Sequence, residues 1–228
     1  MATVLDPAAF PSSPPFGPLV RFTVDEYDQM VASGLLEEDR RCELIEGLLV
    51  EKMPKSPLHT FVVKSVAKAL AQCTAWGRQA ESNDGGEPAE SRSLVAIDVR
   101  KEDPIRLPKQ VSEPEPDIAV VIGPDTRYVL SHPSAADVLM VIEVADSSLV
   151  KDRRMAAIYA AAGIPVYVLI DANARVMTRY SQPAADGYKT AETVDAITLE
   201  IEGQTLGVVT RDEIFPPTDG ASEDSANV

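Results

Sequence analysis

At 228 residues, 45% hydrophobic and 25% charged, the chain has the length and composition of one globular domain with a full core, which argues against wholesale disorder and against a membrane class. Its net charge of −15, from 21 Lys and Arg against 36 Asp and Glu, repels polyphosphate and disfavours strong non-specific nucleic-acid binding. Cys42 and Cys73 form no metal-ligand spacing and the longest apolar runs are five to seven residues, against about 20 for a bilayer span, so reduced thiols, no membrane anchor and a cytoplasmic location are expected.

Residues 1–20, MATVLDPAAFPSSPPFGPLV, and the acidic residues 216–228, PPTDGASEDSANV, lack periodicity and are expected to be disordered around a single domain spanning 21–215. That domain opens with TVDEYDQMVAS, where Thr23 and Glu26 have the spacing of a capping box and predict a helix over about Val24 to Ser33. RCELIEGLLVEKM has β-branched and Leu residues on both sides of Glu46-Gly47 and predicts a strand, a turn and a strand. In SPLHTFVVKSVAKALAQC, Ser56 is the expected N-cap and Pro57 the first helical residue. Leu58, Phe61, Val62, Val66, Ala69, Leu70 and Cys73 are then expected on one buried face.

From Asn83 to Pro116 the chain is rich in Gly, Pro and Glu, with one strand-like run, LVAIDV, and reads as an exposed hairpin or long loop. DIAVVIG, VLMVIEVA, SLVKDRRMAAIYAAAG, VYVLID and RVMTRYSQ then predict strand, strand, helix, strand, strand, with Gly163 ending the helix. Further short strands are expected in YKTAETVDAITLEIEGQTLGVVT. The fold class is therefore α/β: one central mixed sheet flanked by helices, with additional β-hairpins.

VLMVIEVA should place Leu139, Val141, Glu143 and Ala145 on one face and Val138, Met140, Ile142 and Val144 on the other. Both faces are mostly apolar, so this strand is expected to be central, and Glu143 on it requires a cation, a proton or a metal. One local arrangement is a salt bridge to Arg153 or Arg154 on the next helix. The other involves Asp117, which follows Pro116 at an edge or entry position of the preceding strand. If those strands are neighbours, Asp117 and Glu143 converge at one end of the sheet. Two converging carboxylates repel, and Mg²⁺ or Mn²⁺ is the companion that such hard oxygen ligands favour.

FTVDEYDQMVASG, CELIEG followed by MPKSPLH, EPDIAVV, VIEVADSS, DRRMAAIYAAAGIPVYVLID and GVVTRDEIF occur in an order that resembles the Uma-two family of restriction-endonuclease-type proteins, a branch of the PD-(D/E)XK nuclease superfamily. The resemblance runs from about Phe22 to Phe215. It implies a restriction-endonuclease-like core and a metal-dependent endonuclease acting on nucleic-acid phosphodiesters, and homodimers; the acidic body predicts that DNA is bound weakly. It also implies that Asp117 and Glu143 bind Mg²⁺ or Mn²⁺, that Glu43 lines the site, and that His59 faces the same cleft. Glu43 could equally pair on a hairpin, and His59 could be a partly exposed polar residue at a helix start.

The chain departs from the family at the signature lysine. The resemblance places it four residues before the Tyr of IYA, where this chain has Met155, and Ala145 stands two residues after Glu143. Lys151 precedes Met155 by one helical turn and could substitute as a catalytic residue. It also reads as a solvated residue of the helix N-terminus. Arg153 and Arg154 point elsewhere by the same count, although KDRR at 151–154 is the densest basic cluster and could touch phosphate. Tyr159 and Tyr167 are expected to pack, Asp171 to end a strand or turn, and Asp152 to favour the helix dipole. Three functions follow: an active endonuclease, a catalytically inactive nuclease-fold binding or regulatory module, and an α/β domain whose acidic residues are structural.

Overall fold

The computed structural model describes residues 19–36, 41–80, 96–145 and 149–217, with the backbone alone for residues 74–80 and 149–152. The two tails expected to be disordered lie outside the described residues, apart from Leu19, Val20, Pro216 and Pro217. The first helix, α1 (Val24–Ala32), starts at the expected capping box: the Glu26 amide donates to Thr23 Oγ1 at 3.2 Å and the Thr23 amide to Glu26 Oε2 at 2.8 Å. Two orphan donors of the helix start are thereby satisfied.

Strands β1 (Cys42–Ile45) and β2 (Leu48–Glu51) form an antiparallel hairpin. Its two-residue turn has Glu46 at φ 49° and Gly47 at φ 79°, the type I′ geometry whose twist matches the flanking strands. A Cβ on Gly47 would lie 2.5 Å from Arg21 Cβ, so glycine is required there for space as well as for conformation.

Helix α2 (Pro57–Ala80) begins as expected, with the His59 amide donating to Ser56 Oγ at 3.1 Å. Its buried face differs from the expected one. Phe61 is 45% exposed, whereas Val63 is buried with Val62, Val66, Ala69 and Leu70. At 100° per residue those five centre the stripe close to the line of His59, which leaves Phe61 on the outer side of the helix.

Six strands form the main sheet in the order β3 (Ile97–Lys101), β4 (Ile118–Ile122), β5 (Val138–Ala145), β6 (Val166–Asp171), β7 (Val176–Ala184) and β8 (Gly187–Val194). Only β5 and β6 pair in parallel, and the crossover this demands is α3 (Leu149–Ala162). Gly163, at φ 82°, ends α3 as expected. A second hairpin, β9 (Ala196–Ile201) and β10 (Gln204–Thr210), followed by α4 (Arg211–Ile214), packs beside α2.

The sheet is mixed and β5 lies inside it. Val62, Val66 and Leu70 of α2 cover the face carrying Met140, Ile142 and Val144. Met155, Ile158 and Tyr159 of α3 cover the face carrying Val141 and Ala145. The expected alternation fails at the start of β5. The register shifts there, from Val120 opposite Met140 to Val121 opposite Val138. Val138 joins the α3 side and Leu139 the α2 side, because a bulge resets the two-residue period.

Of the expected exposed hairpin or long loop over Asn83 to Pro116, residues 83–95 lie outside the described residues, and the part between β3 and β4 is instead partly core. Ile105, Leu107, Ser112 and Glu113 are all buried, and the hairpin docks on this segment. The Glu113 amide donates to the Leu44 carbonyl and the Gly47 amide to the Val111 carbonyl, both at 2.7 Å. This backbone pairing satisfies groups that burial would otherwise strand. Nor is β4 an edge strand: it pairs with β3 and β5, and Pro116 marks its entry. No helix of the described residues is long and apolar enough to cross a membrane.

Candidate active site

Two neighbouring strands and one docked hairpin position the acidic residues. Antiparallel pairing of β4 and β5 sets Ile118 opposite Ile142, and one step beyond that pair Asp117 meets Glu143. The Asp117 amide, freed from the ladder at the strand's entry, donates to Glu143 Oε2 at 3.1 Å. Asp117 in turn accepts the Val144 amide on Oδ2 at 2.8 Å. Each residue's carboxylate thus reads the other strand's backbone.

Asp117 is 7% exposed and carries two further partners. Lys55 Nζ lies 2.8 Å from Oδ1, and His59 Nε2 lies 3.1 Å from Oδ2. Burial pushes the Asp117 carboxyl up, but the hydrogen bond and charge of His59 and the ammonium of Lys55 outweigh it and hold the group below the usual carboxylate range. His59 is itself only 6% exposed, so it is no partly exposed helix-start residue, and its Nδ1 is buried without a partner.

Glu143 accepts the Tyr159 hydroxyl on Oε1 at 3.0 Å. Tyr159 is fully buried on α3, and burial, then the charges of Glu143 and Glu43, push its phenol well up. Glu43 is buried on β1. Its Oε2 accepts the Glu115 amide at 3.2 Å, which ties β1 to the chain two residues before Asp117.

The structure brings Asp117, Glu143, His59 and Glu43 to one end of the sheet. The fifth expected residue, Lys151, lies on α3, but its side chain falls outside the described residues. Met155 is 3% exposed and packed in the apolar layer with Val141, Tyr159 and Tyr167, so that helical position serves the core. Arg154 reaches away to Glu46, with Nη2 at 2.6 Å from Oε2. Asp171 ends β6 and accepts the Ala174 amide at 2.8 Å, as a turn residue.

Three contributors were not legible as site residues. Lys55 sits in MPKSPLH, four residues before His59, but nothing in that segment marks its partner as Asp117. Glu102, just past β3, receives Lys55 Nζ on Oε1 at 3.0 Å. Tyr159 does more than pack, because its hydroxyl fixes one oxygen of Glu143.

The donor chemistry suits a hard divalent cation, which one or two carboxylates plus water can hold. Among the described residues no group of three or more His, Cys, Asp or Glu side chains forms a metal cage. A cation here would depend on Asp117, Glu143 and water.

A six-stranded mixed sheet with one parallel pair, helices on both faces and paired carboxylates at one end defines a protein of the restriction-endonuclease-like class. The family model Uma2, described as "Putative restriction endonuclease", matches residues 24–209; the chain belongs to the Uma2 family. A solved structure described as "a putative nuclease belonging to DUF820", from Anabaena variabilis ATCC 29413, is similar to it with a TM-score of 0.56. Identity is 15%, and the match covers 85% of this chain and 97% of that one. At that identity the likeness carries the fold. No curated protein matches the sequence at a significant level.

Proposed function

We propose that this protein is a metal-dependent endonuclease that hydrolyses phosphodiester bonds of nucleic acid. The description of its family as a restriction endonuclease favours DNA as substrate. The observation that carries the proposal is the mutual engagement of Asp117 and Glu143, with a backbone amide of each strand donated to the carboxylate of the other. Structural acids at strand ends need only one cation each. Here a buried carboxylate, Asp117, and a half-buried one, Glu143, are oriented from both sides.

Asp117 and Glu143 would hold Mg²⁺ or Mn²⁺. Such an ion, when bound, lowers the pKa of its water and offsets charge on the scissile phosphate. The depressed Asp117 carboxyl stays ionised at neutral pH and is available as a ligand without losing a proton. Tyr159 and the Asp117 amide fix both oxygens of Glu143, so its orientation does not depend on the ion. His59 holds Asp117 Oδ2, and Glu43 anchors the segment that leads into Asp117. The acidic surface keeps affinity for DNA low and salt-sensitive.

A second function, a nuclease fold retained for binding, is favoured by the burial of Met155 in the apolar layer. Calorimetric titration with Mn²⁺ and nicking of supercoiled plasmid separate the two. Mn²⁺ binding with nicking, both lost in Asp117→Ala, supports the endonuclease. Mn²⁺ binding without nicking supports the binding module, and a wild type that binds no Mn²⁺ removes the metal site from both.

A further inference from the structure

We propose that Lys55 is an exchangeable cation of this site: it neutralises Asp117 in the metal-free protein and is released toward the substrate phosphate, still tethered by Glu102, when Asp117 engages a divalent cation. The inference rests on the endonuclease proposed above.

Lys55 lies in the connection between β2 and α2, with its side chain 23% exposed. It is neither sealed in the core nor solvated. Its ammonium sits between Asp117 Oδ1 at 2.8 Å and Glu102 Oε1 at 3.0 Å, and is the one Lys or Arg among the described residues in ion-pair contact with Asp117. The neighbouring cations are committed elsewhere. Lys52 holds the Glu115 carbonyl at 3.0 Å and its carboxylate at 2.9 Å, and Arg41 lies against Glu102 and Glu115.

Glu102 is held in place at a conformational cost. Its φ is 59°, in the left-handed region that a non-glycine residue seldom adopts. Its amide faces the carbonyls of Pro116 and Asp117 at 3.2 and 3.3 Å. Backbone strain of this kind persists where the surrounding structure enforces it, and it marks sites with a task. Here it sets a second carboxylate on the far side of Lys55 from Asp117.

Two acceptors on one ammonium allow an exchange. Asp117 needs only one counter-charge, and a divalent cation on it would displace Lys55 from Oδ1. The flexible four-carbon stem and three donors of lysine then let the group keep Glu102 and turn a donor to a phosphate oxygen. Negative charge on that phosphate grows as water attacks, so a cation placed there acts most strongly in the transition state. A permanent structural bridge, by contrast, would leave Lys55 on Asp117 throughout.

The test compares wild type with Lys55→Met and Lys55→Arg, using Mn²⁺ titration without DNA and plasmid nicking in Mn²⁺, after unfolding midpoints establish that each variant folds. Removing the competing ammonium should tighten Mn²⁺ binding by about tenfold. Nicking should nevertheless fall by about 100-fold, with Lys55→Arg keeping most of it. Unchanged or weaker Mn²⁺ binding in Lys55→Met overturns the exchange, as does nicking by that variant at the rate of an active wild type. If Lys55→Met fails to fold, Lys55→Gln carries the same measurements. Should wild type bind Mn²⁺ but cleave nothing, the endonuclease proposal fails alone, and tighter binding by Lys55→Met still supports displacement from Asp117 while unchanged binding overturns it. A wild type that binds no Mn²⁺ overturns both.

Discussion

Asp117 and Glu113 lie four residues apart, both buried, and are held in opposite states. Lys55 Nζ, His59 Nε2 and the Val144 amide converge on Asp117, and its carboxyl is held below the usual range. Glu113 faces Arg106 Nε at 3.4 Å, but that guanidinium also serves Asp25 at 2.8 Å and Asp28 at 2.5 Å. Burial, then the nearby Asp28, push Glu113 up to about 7, against the weaker pull of Arg106. One guanidinium divided among three carboxylates does not offset desolvation, whereas donors gathered on one carboxylate do. The first arrangement raises the carboxyl of a structural acid, and the second keeps a carboxylate ionised.

Asp117→Ala should produce the largest effect. It strips the acceptor from Lys55, His59 and the Val144 amide together, and breaking a buried pair in this way costs roughly 3–5 kcal/mol, read by urea unfolding at pH 7. In wild type the depressed carboxyl contributes stability that is present above the unfolded carboxyl pKa of about 4 and lost as pH falls through the lower folded value. The variant should lack that acid-side loss, and retention of the same slope would show that Asp117 is not the ionised member of the contrast.

Glu113→Gln should act in the opposite direction. A folded pKa near 7 means that the native state binds the extra proton between about pH 4.5 and 7, so wild-type stability falls as pH rises through that window. The variant should be flat there and, at pH 8, more stable by at most roughly 3 kcal/mol. Equal pH profiles for the two proteins would end the comparison with Asp117.

Tyr159→Phe removes one hydrogen bond from Glu143 and nothing else of the core. A loss of about 1 kcal/mol is expected, together with weaker Mn²⁺ binding in calorimetry, because one oxygen of Glu143 loses its anchor. Unchanged Mn²⁺ binding would reduce Tyr159 to packing. Arg154→Ala breaks an exposed pair with Glu46 and should shift the unfolding free energy by no more than about 0.5 kcal/mol. A larger shift would show that cations outside the buried site matter as much as those within it.

Local elements were readable wherever neighbours along the chain decide the conformation. The Thr23–Glu26 box, the Glu46-Gly47 turn and the Ser56-Pro57 helix start each involve residues within three or four positions. The pairing of Asp117 with Glu143 was also accessible, because two apolar strands next to each other in sequence tend to be neighbours in space. Phe61 and Val63 were not resolved, since which edge of a helical stripe is buried depends on how the helix lies across the sheet. Val138 and Leu139 exchanged faces at a bulge that no residue type announces.

By itself the sequence determined the α/β class, the central position of the strand bearing Glu143 and the two carboxylates at its end, because periodicity and strand order carry that information. Tertiary structure alone decided what holds those carboxylates. Lys55 and Glu102 come from two separate segments, and no spacing encodes a contact made when the loop before α2 and the end of β3 fold to either side of one ammonium. It decided as well that Met155 belongs to the core. An apolar side chain on a helix is core or surface according to what packs against it, and α3 turns that face to the sheet.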